Sequence, residues 1–190
     1  MGHSQADKAR SRERILNEAA TQIRDKGLDA LSIGSLMQQV KLTHGGFYGH
    51  FASRSDLIAA ALQQALNSGE ASAHAARDPD KPVSVNALVR SYLSRSHRDQ
   101  PKSGCAIGAL ISDVGRADAQ CRAVMEPHIE SFIAKVAETF GDDDDDSSAI
   151  VAVSAMVGAL AISRVLTDTK RSDAVLRTVR DAIIAMASDE

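Results

Sequence analysis

Apolar residues recur along most of the chain at three- and four-residue spacings, the pattern of helices that each bury one face. Ile15, Leu16, Ala19, Ala20 and Ile23 form the first stripe, and Gly27 followed by Leu28 supplies a stop. Ile33, Leu36, Met37 and Val40 form a second, with Ser32 at its N-cap position. Lys41 and Leu42 interrupt the pattern. Thr43 then offers another capping hydroxyl before His44 to Phe51, where Phe47 and Phe51 share a face. The spacing predicts helix, tight turn, helix. Ser53 and Asp56 read as a capping box that opens the next helix through Leu57, Ala61, Leu62 and Leu66.

Small and polar residues from Gly69, together with Pro79 and Pro82, predict a loop. Val85, Leu88, Val89, Tyr92 and Leu93 resume a helical stripe, and Asp99 to Gly104 read as a turn cluster. One helix is expected from near Cys105 to about Gly115. Another runs from Asp118 through Val136, with Pro127 kinking or restarting it. Gly141 and the aspartates Asp142 to Asp146 read as a solvated connector, because a calcium loop needs spaced ligands that a bare run does not offer. Two last helices are expected, about Ser148 to Leu166 and Asp173 to Ala187. The former is apolar almost all round and the latter adds Val175, Leu176, Val179, Ile183, Ile184 and Met186, a surface surplus to one small domain that reads as a dimer face built from both helices, including Gly158 and Ala159.

Composition sharpens this. With 44% hydrophobic residues, 3% aromatic and no Trp, the core has to be built from Ala, Leu, Ile and Val, which suits an all-α fold of closely packed helices. Yet three of the six aromatics, Phe47, Tyr48 and Phe51, cluster beside Gly45, Gly46 and Gly49. Each glycine costs about 1 kcal/mol relative to Ala inside a helix, so this segment needs support from Phe47 and Phe51. Its bare backbone admits close approach by a partner such as a duplex. The net charge of -3 is uneven: residues 1–60 hold 8 Lys/Arg against 6 Asp/Glu, and residues 61–190 hold 14 against 19. Lys8, Arg10, Arg12 and Arg14 at the start read either as a solvated face or as phosphate-neutralising cations.

Two cysteines are too few for a disulfide framework, and no apolar run is expected to begin the chain or reach bilayer length, so a soluble cytoplasmic protein with no membrane partner is expected. No grouping of nucleophile, base and orienting residue stands out, nor does a phosphate-cradling glycine loop. The chain is read as a non-enzyme with no catalytic residue, cofactor or metal.

Residues Val40 to Phe51, VKLTHGGFYGHF, followed by Arg54 and Leu57, resemble the helix-turn-helix of the TetR family of transcriptional regulators. The match lies at Thr43, Gly45, Phe47, Tyr48, His50 and Phe51; the departures are Val40, Lys41 in place of the turn glycine, and Gly46. The resemblance implies a three-helix DNA-binding domain over residues 1–52 and a helical ligand-binding and dimerisation domain over 53–190. It implies a homodimer on a double-stranded, palindromic DNA operator, acting as a repressor released by a small-molecule inducer. It turns Thr43, His44, Gly45 and Gly46 toward base edges, and Tyr48, His50 and Arg54 toward phosphates or the groove wall, with Lys41 in the turn beside them. For an inducer pocket, Tyr92, His97, Cys105, Leu110, Met125, His128, Phe132 and Met156 mix soft apolar surface with a few polar tips. Two alternatives stand beside this reading. One is a thiol sensor built on Cys105 at a helix start. The other is a helical small-molecule carrier or small enzyme that keeps the helix-turn-helix only as packing.

Overall fold

A computed structural model describes residues 5–75, 84–141 and 146–187, and every regular element among them is a helix. Helix α1 (Gln5–Lys26) buries the stripe of Ile15, Leu16, Ala19, Ala20 and Ile23 and stops at Gly27, where φ is +85°. Helix α2 (Ile33–Gln39) buries Leu36 and Met37; Ser32 holds its N-cap position, but the hydroxyl makes no capping bond. After a 3-10 helix at His44–Gly49, α3 (Arg54–Ala75) opens on the predicted box. Asp56 N–H donates to Ser53 Oγ at 3.0 Å, and the Asp56 carboxylate accepts from Ala52 N–H at 3.1 Å.

Helix α3 then runs past Gly69, where a loop was expected, to Ala75. One glycine weakens a helix by about 1 kcal/mol, and here it packs on the backbone of Gly104 and Cys105. Residues 76–83, with Pro79 and Pro82 of the predicted loop, and residues 142–145 of the aspartate run lie outside the described residues.

Helix α4 (Val85–Tyr92), the short α5 (Arg95–Asp99) and a 3-10 turn at Pro101–Ser103 lead into α6 (Ala106–Arg116). Helix α7 (Ala119–Phe140) is a single element that continues through Pro127 and ends at Gly141 with φ +79°; the proline does not restart it. Helices α8 (Ser147–Val165) and α9 (Thr169–Met186) close the fold. Helix α9 begins ahead of the expected Asp173, because Asp168 caps it by accepting from Lys170 N–H at 2.9 Å.

By length and composition the 19 residues of α8 could cross a bilayer, which corrects the expectation that no apolar run reaches that length. Its inner face packs on α7 and α9 and buries Ala152, Val153, Met156, Ala159 and Leu160. Ala159 therefore belongs to the core within the chain and not to an outer face. The outer stripe carries Ile150, Val151, Ile162 and Val165, all exposed.

A continuous core runs from Ile15, Phe47 and Phe51 through Leu57 and Leu62 to Leu110, Met125, Met156 and Ile183. Helix α3 is its spine, and both α1 and α7 pack along it.

Candidate nucleic-acid interface

Hydrogen bonding at the end of α2 fixes the turn. Leu42 N–H donates to Met37 O at 2.8 Å and Lys41 N–H to Gln38 O at 3.0 Å, the paired bonds of a Schellman stop. The residue between those bonds has to enter the left-handed region, and Lys41 does so with φ 56°, the only positive-φ residue other than glycine among those described. Arg14, reaching over from α1, donates to the Val40 carbonyl and closes the same helix end.

Beyond the turn, Thr43 Oγ1 accepts from Gly46 N–H at 3.3 Å. Bonds of i to i+3 type follow, with Gly46 N–H to Thr43 O at 3.0 Å and His50 N–H to Phe47 O at 2.9 Å, so the segment is a 3-10 helix. Three glycines in six residues give it little helical preference of its own. Phe47 and Phe51 anchor it: both are buried, stacked with ring centroids 5.6 Å apart, and Arg12 lays its guanidinium 5.0 Å above the Phe51 ring.

The outward side is open. Tyr48 is 66% exposed, held edge-on to Phe47 at 5.2 Å, and Lys41, Thr43, His44 and Gly45 are exposed with it. A methyl built on Gly45 or Gly49 meets nothing within 4 Å, and on Gly46 it meets only ordinary contacts. Internal crowding thus requires glycine at none of these positions. His50 is half-buried with an unpartnered Nδ1. Its burial, then the neighbouring cations Lys8 and Arg12, push its pKa below the usual histidine value, so the ring is neutral.

Arg54 stands differently from its expected phosphate-facing role. Its guanidinium donates to the carbonyls of Leu31 at 3.3 Å, Leu28 at 3.2 Å and Asp29 at 3.1 Å, pinning the loop between α1 and α2 to the start of α3. Two carboxylates from later helices grip the same junction. Asp113 on α6 accepts from Leu28 N–H at 3.1 Å, and Asp118, at the N-cap of α7, accepts from Ser55 Oγ at 2.7 Å. Gly27 permits the first contact, because any Cβ there would lie 2.6 Å from Asp113 Oδ2. Sequence reading gave no sign of these ties, which join residues far apart in the chain and, apart from the Ser55–Asp118 bond, run through backbone groups.

A family model for bacterial regulatory proteins of the tetR family matches residues 15–61, which take in the C-terminal half of α1, α2, the 3-10 helix and the first turns of α3. Over those residues the chain is similar to the regulatory proteins that this model describes. Two Mycobacterium tuberculosis proteins, from strains CDC 1551 and H37Rv, each named as an uncharacterized HTH-type transcriptional regulator, are 27% identical to it over 188 residues, covering 92% of this chain and 94% of theirs. A TetR-family transcriptional regulator from Streptomyces coelicolor superposes with TM-score 0.74 at 25% identity, covering 100% of this chain and 96% of that one. A TetR-family regulator from Cytophaga hutchinsonii does so with TM-score 0.77 at 20% identity, over 97% and 98%. The chain is thus similar along its length to TetR-family, helix-turn-helix transcriptional regulators, and it shares their N-terminal helix-turn-helix and helical C-terminal part.

The residues expected to line an inducer pocket fall into three groups. Tyr92, His97, Cys105 and Phe132 form one cluster, with Tyr92 4.7 Å from His97 and 5.4 Å from Phe132 between ring centroids. There His97 Nδ1–H donates to Tyr92 O at 2.7 Å and Nε2 accepts from Cys105 N–H at 3.0 Å, which fixes the neutral tautomer; burial is the main reason its pKa is lowered. The Tyr92 hydroxyl is buried without a partner, and that burial raises its pKa well above the usual tyrosine value. Leu110, Met125 and Met156 are core residues with almost no exposure. His128 accepts from Gln63 at 2.9 Å and donates to Glu70 at 2.8 Å, which ties α7 to α3. Neither of two clefts on the described surface, one beside Arg24 and Arg164 and one beside Arg54 and Asp118, is lined by any of the eight residues. The Cys121 thiol is pushed up to about 11, mainly by burial and then by Asp118, which leaves it protonated.

Proposed function

We propose that this chain is a TetR-family repressor that binds a palindromic operator as a homodimer and lets go when a small molecule binds its C-terminal part. The open side of the 3-10 helix carries the reading: Tyr48 stands out, and Gly45, Gly46 and Gly49 lack side chains for no internal reason. A bare backbone held by buried phenylalanines suits close approach to a duplex edge. On this reading Thr43, His44, Gly45 and Gly46 face base edges, while Tyr48, Lys41 and the half-buried His50 ring meet phosphates or the groove wall. Arg54 acts indirectly by holding the loop before α2. The exposed α8 stripe of Ile150, Val151, Ile162 and Val165 supports a two-fold partner of the same kind. Residues 1–52 then form the DNA-binding domain and 53–190 the ligand and dimer domain of a cytoplasmic protein.

Release would run through the two carboxylate ties. A ligand that shifts α6 and α7 carries Asp113 and Asp118 with it, and so moves Leu28 and Ser55. It weakens operator binding only to the extent that it prefers the shifted arrangement. The decisive experiment selects duplexes from a random pool with the purified protein and titrates the winner by anisotropy at several salt concentrations. Palindromic sites should emerge, with affinity falling about a thousandfold or more between 50 and 200 mM salt if each dimer makes roughly 6–10 phosphate contacts. A folded dimer that binds no duplex at low salt would rule the function out.

A further inference from the structure

A cleft of about 520 Å³ lies between the end of α1, α5, the end of α8 and the start of α9, a size typical of small-molecule sites. Its lining includes Arg24, Arg98, Arg164, Ser163 and Ser172 together with Asp25 and Asp99. The carboxylates are already taken: Asp99 pairs with Arg98 at 2.6 Å and Asp25 with Lys102 at 3.5 Å. Arg98 also pairs with Asp173 at 2.8 Å, so its charge is answered as well.

Arg24 and Arg164 differ. Arg24 donates to Ala65 O at 3.1 Å and Ser68 Oγ at 2.8 Å, and its Nε is buried with no partner. Arg164 donates to the carbonyls of His97 at 3.0 Å, Arg98 at 3.2 Å and Gly108 at 3.4 Å. Among the described residues neither guanidinium pairs with a carboxylate. Both are half-buried, and burial draws their pKa below the usual arginine value. Neutral carbonyls satisfy hydrogen bonds but leave charge uncompensated, and a partly desolvated cation without a counter-ion is costly. A guanidinium fork also has the geometry to hold an oxyanion.

We propose that this cleft binds a small molecule through a carboxylate or phosphate group placed between Arg24 and Arg164. The occupant would link α1, which leads into the DNA-reading segment, with α8, which carries the exposed apolar stripe. Its regulatory role rests on the function proposed above; the binding itself does not.

The test uses the full chain without DNA. Thermal unfolding and titration calorimetry are followed with inorganic phosphate, with succinate and with chloride at matched ionic strength. A saturable rise in Tm of roughly 5 °C or more is expected when either oxyanion exceeds its midpoint a hundredfold, with no such rise in chloride. Response to phosphate alone or succinate alone identifies which group the cleft takes. Arg24→Gln should weaken binding at least about tenfold, and Arg24→Lys, which keeps the charge but loses the fork, should weaken it less. Arg164→Gln should act like Arg24→Gln, but Arg164 also braces three carbonyls, so Arg24→Gln decides the matter if that variant does not fold. The proposal is overturned by an equal response to chloride, by no response to either oxyanion, or by unchanged binding in Arg24→Gln. Anion binding without duplex binding refutes the repressor reading alone, and duplex binding without anion binding refutes this one alone.

Discussion

Replacing Lys41 with glycine should stabilise the protein while weakening its hold on DNA. The residue lies at φ 56° because the paired bonds from Leu42 and Lys41 back to Met37 and Gln38 leave the turn no other course. A side chain in that region costs about 1–2 kcal/mol. Glycine would relieve the cost but has more freedom to lose on folding, by about 0.5–1 kcal/mol. The net gain is about 0.5–1 kcal/mol, or roughly 1–4 °C in Tm for a chain of this length. Lys41→Ala is the control, since it keeps a Cβ in the left-handed region and removes only the charge. It should melt near the wild type. If the Lys41 ammonium neutralises one phosphate per protomer, both variants should reduce the slope of log affinity against log salt by about 1.8 per dimer. Urea or thermal unfolding reads the first effect and an anisotropy salt series the second. A glycine variant that melts at or below the wild-type temperature would refute the strain argument, and an unchanged salt slope in both variants would remove Lys41 from the phosphate contacts.

Val165→Glu tests assembly: at 81% exposure the side chain contributes little to the fold of one chain, so the variant should stay folded yet sediment as a monomer, and an intact dimer at micromolar concentration would place the interface elsewhere. Stability should also depend on His97, which accepts from Cys105 N–H and is held neutral. The unfolded chain takes up that proton near pH 6.5, so stability is full above this value and declines as pH falls through it toward the lowered folded value. Urea midpoints at pH 7.5 and 5.5 should differ in that direction, and the difference should shrink in His97→Gln; an equal difference in that variant would clear His97 of the effect.

Much of this architecture was legible in the chain. Ile15, Leu16, Ala19, Ala20 and Ile23 share one helical face and are buried, and the crowding of Phe47, Tyr48 and Phe51 among glycines marked the 3-10 segment that two buried phenylalanines anchor and that leaves Tyr48 exposed. Local rules handled these cases because periodicity and capping act within a few residues. They failed where the decision lay elsewhere. Gly69 reads as a breaker, yet α3 continues because the segment packs on residues 104 and 105. Arg54 reads as a phosphate ligand until the three carbonyls of the loop before α2 are seen around it. The arginine cleft escaped notice because Arg24, Arg98 and Arg164 come from distant segments, and because Arg164 bonds only to backbone oxygens, which leave no trace in composition.

The fit of Gly27 and Leu28 against Asp113 bears on how this regulator could be given a new target. A reading head transplanted from a relative and spliced in at residue 53 would bring its own residue to position 27. Any side chain there would begin 2.6 Å from Asp113 Oδ2. Even a glycine donor would have to present the next N–H at the angle that Leu28 now offers. A working chimera therefore has to keep Gly27, Leu28 and Asp113 as one matched set, whereas Ser55 and Asp118 both lie beyond the splice, so the seam for such grafts runs through α6 as well as through the peptide bond before α3.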